Sequence, residues 1–200
     1  MVASLIAGFA RLVTGATAQW LAEPQSERQR VYFANHSSHA DFVTIWAALA
    51  PAPRARTRPV AAAEYWRAGA VRRYVGARVF RAVLIEREGD REAALELMAA
   101  ALRDGDSLII FPEGTRGDGL EIAPFRSGLY NLAVAAPEAE LVPVRLQNLN
   151  RVLPKGASIP VPVIARLTFG TPLALGPDEP REEFLRRARE AVVELDAPPG

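Results

Sequence analysis

The sequence predicts an α/β protein: a single layered domain in which helices flank a mixed, largely parallel sheet. Two observations support this fold class. Short apolar runs alternate with longer segments of helical periodicity along most of the 200-residue chain, as they do in layered α/β domains. Several of these runs are apolar on both faces, which is typical of strands buried between two layers of helices. The length suits one domain.

The first 22 residues form an amphipathic N-terminal helix in this prediction, ahead of a domain that spans 23–200. The apolar residues of 1–21 recur at helical spacing, in the stripe Val2, Leu5, Ile6, Phe9, Leu12, Val13, Ala16 and Trp20. Arg11 interrupts this run, which is therefore too short for the ~20 apolar residues of a membrane-spanning helix. No positive charge precedes it, as one would in a secretory signal. Two interpretations remain open, because the helix can pack on the domain core or lie in a membrane interface with Trp20 at headgroup depth.

The remaining elements follow a polar link at 23–29. Runs rich in apolar and β-branched residues predict strands at 30–34, 57–61, 79–85, 107–111, 141–146 and 163–169. Apolar residues at helical spacing predict helices at 38–49, 90–103, 126–136 and, last, 184–195. We expect Pro51 and Pro53 to end the first of these helices.

Composition excludes several kinds of chemistry. The sequence has no cysteine, which excludes disulfides, thiolate zinc sites and cysteine nucleophiles. Its two histidines leave little for a histidine-rich metal site, and its single lysine, Lys155, disfavours a Schiff-base or P-loop lysine mechanism. The formal net charge is +1, so the total charge does not indicate a nucleic-acid partner.

Both histidines follow the first predicted strand directly, in the segment Asn35-His36-Ser37-Ser38-His39-Ala40-Asp41. Ligands bind at the carboxyl ends of strands in open α/β sheets. His36 can take a proton near neutral pH, and Asp41 can fix its tautomer and stabilise its cation. On one continuous helix the two residues would lie about 140° apart, so their contact requires the helix to begin near Ser38. The structural alternative is a capping box, with Ser38 as N-cap and Asp41 three residues later.

A second candidate site follows the strand at 107–111, in the segment Phe111-Pro112-Glu113-Gly114-Thr115-Arg116-Gly117. Proline and glycine predict a tight turn, in which Gly114 lets the backbone approach a ligand closely. The glutamate, threonine and arginine of this turn are expected to face the crevice at His36. Guanidinium groups hold phosphate by two parallel hydrogen bonds, so Arg116 suits a phosphate ligand. Arg87, at the end of another predicted strand, adds a second guanidinium at the same edge. A solvated surface turn is the plain alternative.

Four segments of the chain resemble the phospholipid and glycerol acyltransferases, the family typified by lysophosphatidic acid acyltransferases. The segment 35–41 is similar to the family's first block, in which a histidine is followed by an aspartate after four residues. AVLIER at 82–87 resembles the second block, FPEGTR at 111–116 matches the third letter for letter, and VPV at 142–144 resembles the fourth. The four blocks stand in the family's order and cover about 35–144. A proline between two valines is also a common packing element at a strand edge.

The resemblance implies an enzyme that transfers an acyl group directly. His36, oriented by Asp41, would deprotonate the free hydroxyl of a lysolipid, which would then attack an acyl thioester of coenzyme A or of acyl carrier protein. The phosphate of the lysolipid would be held by residues of the other blocks: Arg87, Glu113, Gly114, Thr115, Arg116 and, where the family often has lysine, Arg126. No metal and no bound redox cofactor is implied. Lysophosphatidic acid is the first candidate acceptor, and another lysolipid or glycerol 3-phosphate is the alternative.

Eight arginines and a single acidic residue, Glu64, lie between positions 54 and 81, interleaved with aromatic residues. A solvated basic face is the plain interpretation of this stretch, and single-stranded nucleic acid is another possible ligand. The near-neutral net charge and the absence of a recognised motif argue against nucleic acid. We therefore expect docking on an anionic membrane surface, by a peripheral enzyme on the cytoplasmic face. A non-catalytic lipid-binding module is the alternative of another class, and a module of that kind would not need the His36–Asp41 pair.

Overall fold

A mixed sheet of seven strands organises the part of the chain that the structure, a computed structural model, describes: residues 2–22, 28–38, 40–86, 89–119, 121–149 and 165–196. The strands are Thr17–Trp20 (β1), Arg30–Ala34 (β2), Thr57–Ala62 (β3), Val83–Ile85 (β4), Ser107–Ile110 (β5), Glu140–Gln147 (β6) and Arg166–Phe169 (β7). Their spatial order is β1-β7-β6-β2-β5-β3-β4. The neighbours from β6 to β4 run parallel, whereas β7 is antiparallel to β6 and parallel to β1. The predicted fold class is confirmed.

Helices cover both faces of this sheet. They are Val2–Thr14 (α1), Asp41–Ala48 (α2), Pro51–Ala55 (α3), Ala63–Arg67 (α4), Ala70–Tyr74 (α5), Arg91–Arg103 (α6), Gly128–Ala135 (α7) and Arg181–Glu194 (α8). The core on one face contains side chains of α1 and α2, and the core on the other contains side chains of α6, α7 and α8. Every residue of β2 and β5 is buried. Burial from both sides explains why these two strands are apolar after their first residues, Arg30 and Ser107.

The N-terminal helix ends at Thr14, and the residues after it form a strand. Gly15 has a positive φ of 52°, which stops the helix. Thr17–Trp20 then pairs with β7, and Trp20 stacks on Phe169 with ring centroids 3.8 Å apart. The prediction that the helical stripe continues through Ala16 to Trp20 is therefore wrong. A strand of four residues is too short for its pattern to be distinguished from the last turn of an amphipathic helix.

The two faces of α1 differ in the size of their apolar side chains. Ala7 and Ala10 are buried on the core, and Arg11 Nε donates a hydrogen bond of 2.7 Å to the carbonyl of Ala47 in α2. The opposite face exposes larger side chains, namely Leu5 (67%), Phe9 (66%) and Leu12 (82%). The helix thus packs on the domain and also presents an apolar row outward. Within the described ranges, no helix is both long and apolar enough to cross a bilayer.

Two other predicted elements differ from the structure. Of the strand predicted at 79–85, only Val83–Ile85 is a strand, because Val75–Val79 forms a π-helical turn and Phe80 packs against aromatic rings. Pro51 ends α2 as expected but also begins a further short helix, α3, whose first turn suits proline. Residues 163 and 164 of the strand predicted at 163–169 lie outside the described residues.

Candidate active site

The carboxyl ends of β2 and β5 bring the two predicted site segments together. These strands are parallel neighbours, with Phe33 opposite Ile110, so 35–41 and 111–117 leave the sheet side by side. The buried side chain of Asn35 continues the ladder toward β6, because its Oδ1 accepts from Leu146 N (2.8 Å) and its Nδ2 donates to Leu146 O (3.0 Å). This pairing holds the backbone in place immediately before His36.

His36 and Asp41 are in direct contact. His36 Nδ1 lies 2.8 Å from Asp41 Oδ2, and the aspartate is fully buried. The same oxygen accepts hydrogen bonds from the backbone N–H groups of Ser37 (2.6 Å) and Ser38 (2.8 Å). Ser38 Oγ in turn accepts from Ala40 N at 3.2 Å. The histidine contact is therefore present, whereas the predicted capping box is not, because α2 begins at Asp41 with Ala40 as its N-cap residue and no side chain caps it.

This contact assigns the two ring nitrogens of His36 different roles. An ionised carboxylate only accepts hydrogen bonds, so in the neutral ring the proton lies on Nδ1 and Nε2 keeps its lone pair. The side chain is 19% exposed, and the ring stacks on Phe111 with centroids 4.2 Å apart. A ring held at one edge and on one face can take a proton from a bound hydroxyl through Nε2.

Glu113 faces the protein backbone, contrary to the prediction that it faces the crevice. Glu113 is buried, with 3% of its surface exposed. Oε1 accepts from His36 N at 2.7 Å, and Oε2 accepts from Ala123 N at 2.9 Å. Gly117 N also donates to the carbonyl of His36, at 2.8 Å. The sequence missed this arrangement because the amide of His36 lies 77 positions from Glu113 along the chain.

Gly114 and two arginines form the exposed side of the 111–117 turn. Gly114 has a φ of +73°, and a Cβ atom there would lie 2.7 Å from Arg126 Nε. The Arg126 side chain therefore crosses directly over this glycine. Thr115, Arg116 and Arg126 are exposed, and neither guanidinium has a hydrogen-bond or ion-pair partner among the described residues. Arg116 of the turn and Arg126, which crosses it, thus present two cationic groups that are available to an anion.

Two residues of the predicted site segments, Arg87 and His39, lie outside the described residues. The strand that leads to Arg87, β4, is described up to Ile85 and lies beside β3. Seven of the eight residues predicted to form the site, all except Arg87, therefore lie in the described part of the chain, in the positions given above. Phe111, Asn35 and Gly117 complete the surroundings of His36.

The arginine-rich stretch is divided between the two edges of the sheet, so its eight arginines do not form the single basic face of the plain interpretation. Arg58 and Arg81 form ion pairs with Asp106 at the amino end of β5, at 3.1 and 2.9 Å. Other arginines follow the carboxyl end of β3, which is the edge that carries His36. Together with exposed apolar residues they form what we call the α4–α5 surface, made of Tyr65, Arg67, Val71, Arg72, Arg73 and Tyr74.

Comparison with known proteins adds to this geometry. Residues 19–147 match the model of the family described as Acyltransferase. A protein of Chlamydomonas reinhardtii named 1-acyl-sn-glycerol-3-phosphate acyltransferase is 28% identical over 107 residues, which are 52% of this chain and 32% of that protein. This chain thus spans about a third of the length of that relative.

A solved structure shares the fold. The crystal structure of the 1-acyl-sn-glycerophosphate (LPA) acyltransferase PlsC from Thermotoga maritima matches with a TM-score of 0.74 and 23% identity, over 96% of this chain and 78% of that one. The family match covers more than half of the chain and includes both 35–41 and 111–117. On these grounds the protein belongs to the Acyltransferase family.

Proposed function

We propose that this protein transfers a fatty acyl group from an acyl thioester to the free hydroxyl of a lysophospholipid, with lysophosphatidic acid as acceptor and phosphatidic acid as product. The observation that carries the proposal is the contact of 2.8 Å between His36 Nδ1 and the buried Asp41, next to two exposed guanidiniums. The names of the relatives from Chlamydomonas and Thermotoga support the same acceptor.

In the proposed reaction His36 acts as a general base. Nε2 takes the proton of the acceptor hydroxyl while the hydroxyl oxygen attacks the thioester carbonyl. The C–S bond then breaks, and the leaving thiolate recovers the proton from the imidazolium. Asp41 stabilises that imidazolium and keeps the ring in the Nδ1–H tautomer. A positioned base of this kind contributes about 10²–10⁴-fold to the rate. The proposal involves no metal and no bound redox cofactor.

Arg116 and Arg126 are proposed to bind the phosphate of the acceptor. Arg116 is exposed on the 111–117 turn and Arg126 is exposed where its side chain crosses Gly114, both without a partner in the described part of the chain. A guanidinium forms charge-assisted hydrogen bonds with phosphate. Gly114 lets Arg126 lie close to the turn. From the resemblance of 82–87 to the family's second block, Arg87 is proposed as a third contact, and Thr115 as a neighbour of the same phosphate.

The protein is further proposed to work on the cytoplasmic face of a membrane as a peripheral enzyme. The product has two acyl chains and stays in a bilayer, so the site must reach one. Leu5, Phe9 and Leu12 form an exposed apolar row on α1, which suits insertion at the interface. The α4–α5 surface adds arginines at the edge of His36, and each basic residue near an anionic surface is worth ~1 kcal/mol.

An acceptor and donor panel tests the function. Purified protein is incubated with lysophosphatidic acid, other lysolipids or glycerol 3-phosphate, and the donor in each case is acyl-coenzyme A or the acylated form of acyl carrier protein. Products are identified by mass spectrometry. We expect phosphatidic acid from lysophosphatidic acid, and no product from His36→Ala. Wild-type protein that acylates no acceptor, while it still binds lysolipid, would support a non-catalytic lipid-binding module instead. Near wild-type turnover by His36→Ala would contradict the role of His36 as base.

A further inference from the structure

The 111–117 turn holds His36 at three separate points. The Phe111 ring stacks on the imidazole, Glu113 Oε1 accepts from the backbone N–H of His36, and Gly117 N donates to its carbonyl. Both backbone polar groups of the histidine are thus bonded to one turn of a neighbouring strand. The side chain is in addition bonded to Asp41. Few degrees of freedom remain for the ring.

Glu113 is the acidic member of this turn, and its carboxylate is used inside the protein. The two oxygens accept from N–H groups on different segments, His36 at the end of β2 and Ala123 in the loop that leads to Arg126. Hydrogen bonds from backbone N–H groups to a carboxylate are short and strong. One buried side chain therefore connects the backbone of His36 and the loop that carries Arg126.

We infer, on the basis of the proposed function, that Glu113 is a positioning residue for the reaction and does not bind the acceptor. It holds His36 so that Nε2 lies next to the acceptor hydroxyl, and it fixes the position of the Arg126 loop relative to Nε2. This assignment differs from that of Arg116, whose exposed guanidinium is placed to touch the ligand itself. The two residues are neighbours on one turn, so their variants form a direct comparison.

Glu113→Gln is the variant that tests this role. A glutamine has one acceptor oxygen and one donor NH₂ group, so in either orientation one of the two backbone N–H groups faces a donor. His36 or the Arg126 loop must then shift. Displacement of a reacting group by about 1 Å can lower the rate by about 100-fold. We expect kcat to fall by up to about that factor and the KM for lysophosphatidic acid to rise by less, because the Arg126 loop is one of the two segments that can shift.

Two further variants complete the kinetic comparison. Glu121→Gln makes the same chemical change at an exposed position of the nearby loop, and we expect it to leave kcat and KM unchanged. Glu113→Asp keeps both oxygens and the charge but is one methylene shorter, so it reaches only one of the two amides. Glu113→Asp replaces Glu113→Gln in the comparison if the latter does not fold, and we expect it to lower kcat more than it affects the KM for lysophosphatidic acid. A raised KM with an unchanged kcat in either Glu113 variant would overturn the inference.

A spectroscopic measurement separates this inference from the proposed function. The protein has two histidines, so ¹H–¹⁵N correlation spectra of the imidazoles are simple, and His39→Gln assigns them. We expect the Nδ1–H tautomer for His36 in the wild type and a mixture of tautomers in Glu113→Gln. Wild-type protein without transferase activity would contradict the proposed function alone. An unchanged His36 spectrum in Glu113→Gln, with unchanged kinetics, would overturn the positioning role alone.

Discussion

Asp41→Asn separates the charge of the aspartate from its shape. The amide oxygen of asparagine can occupy the place of Oδ2 and accept from His36 Nδ1, Ser37 N and Ser38 N. The NH₂ group then takes the place of Oδ1, which is buried and has no hydrogen-bond partner in the described part of the chain. The variant therefore keeps the geometry of the site, loses the negative charge and gains one unsatisfied donor.

The rate effect follows from the distance between the two groups. With Nδ1 and Oδ2 2.8 Å apart, the charge centres of an imidazolium and a carboxylate are separated by about 4 Å, which at an effective dielectric constant of about 20 corresponds to about 4 kcal/mol. Each 1.36 kcal/mol is a factor of ten in rate, so kcat is expected to fall about 10³-fold. The unsatisfied donor is expected to lower the free energy of unfolding by about 1–3 kcal/mol.

The assay measures kcat and KM for acyl transfer to lysophosphatidic acid, with urea unfolding of each variant in parallel. Asp104→Asn removes the same charge from an exposed residue at the end of α6 and serves as the matched control. A folded Asp41→Asn protein with a kcat within tenfold of the wild type would refute the reasoning, because the imidazolium would then not depend on the carboxylate.

Three further predictions concern the ligand, the membrane and stability. Arg116→Ala removes a charge-assisted contact worth roughly 1.5–3 kcal/mol, so steady-state kinetics should show the KM for lysophosphatidic acid raised ~10–150-fold. Phe9→Ser should weaken flotation with anionic vesicles without lowering Tm, because the side chain is exposed; a fall in Tm would indicate packing on the core instead. The Arg187 hydrogen bond lowers the pKa of Glu179 from its ordinary 4.5, so this pair stabilises the fold above that pH, and stability is lost as the pH falls through the lowered value. Urea unfolding from pH 7 to pH 3 should show this loss in the wild type and a smaller one in Arg187→Ala.

The parts of the fold that could be predicted are those in which burial dictates composition. The runs at 31–34 and 108–111 are apolar because β2 and β5 are covered on both faces. The contact between His36 and Asp41 was also accessible, because the two residues lie only five positions apart, just before and at the start of α2. Local sequence carries both kinds of information.

The direction of a polar side chain in a turn could not be predicted from the local sequence. Glu113 points inward because the N–H of His36, 77 positions away, reaches its carboxylate, and no local pattern encodes that partner. The arginine-rich stretch is similar, since Asp106 attracts Arg58 and Arg81 to the amino edge only after β3, β4 and β5 have come together. Such features depend on tertiary contacts between distant segments.

The central place of β2 has a consequence for folding. His36 is held by Glu113 from β5, and Asn35 is paired with Leu146 in β6, at separations of 77 and 111 residues. Non-local contacts of this kind form slowly. The imidazole is therefore organised only after most of the chain has been synthesised, and a nascent chain that ends before β6 carries the histidine and the aspartate without an assembled site. Refolding followed by activity should accordingly lag behind refolding followed by helix content.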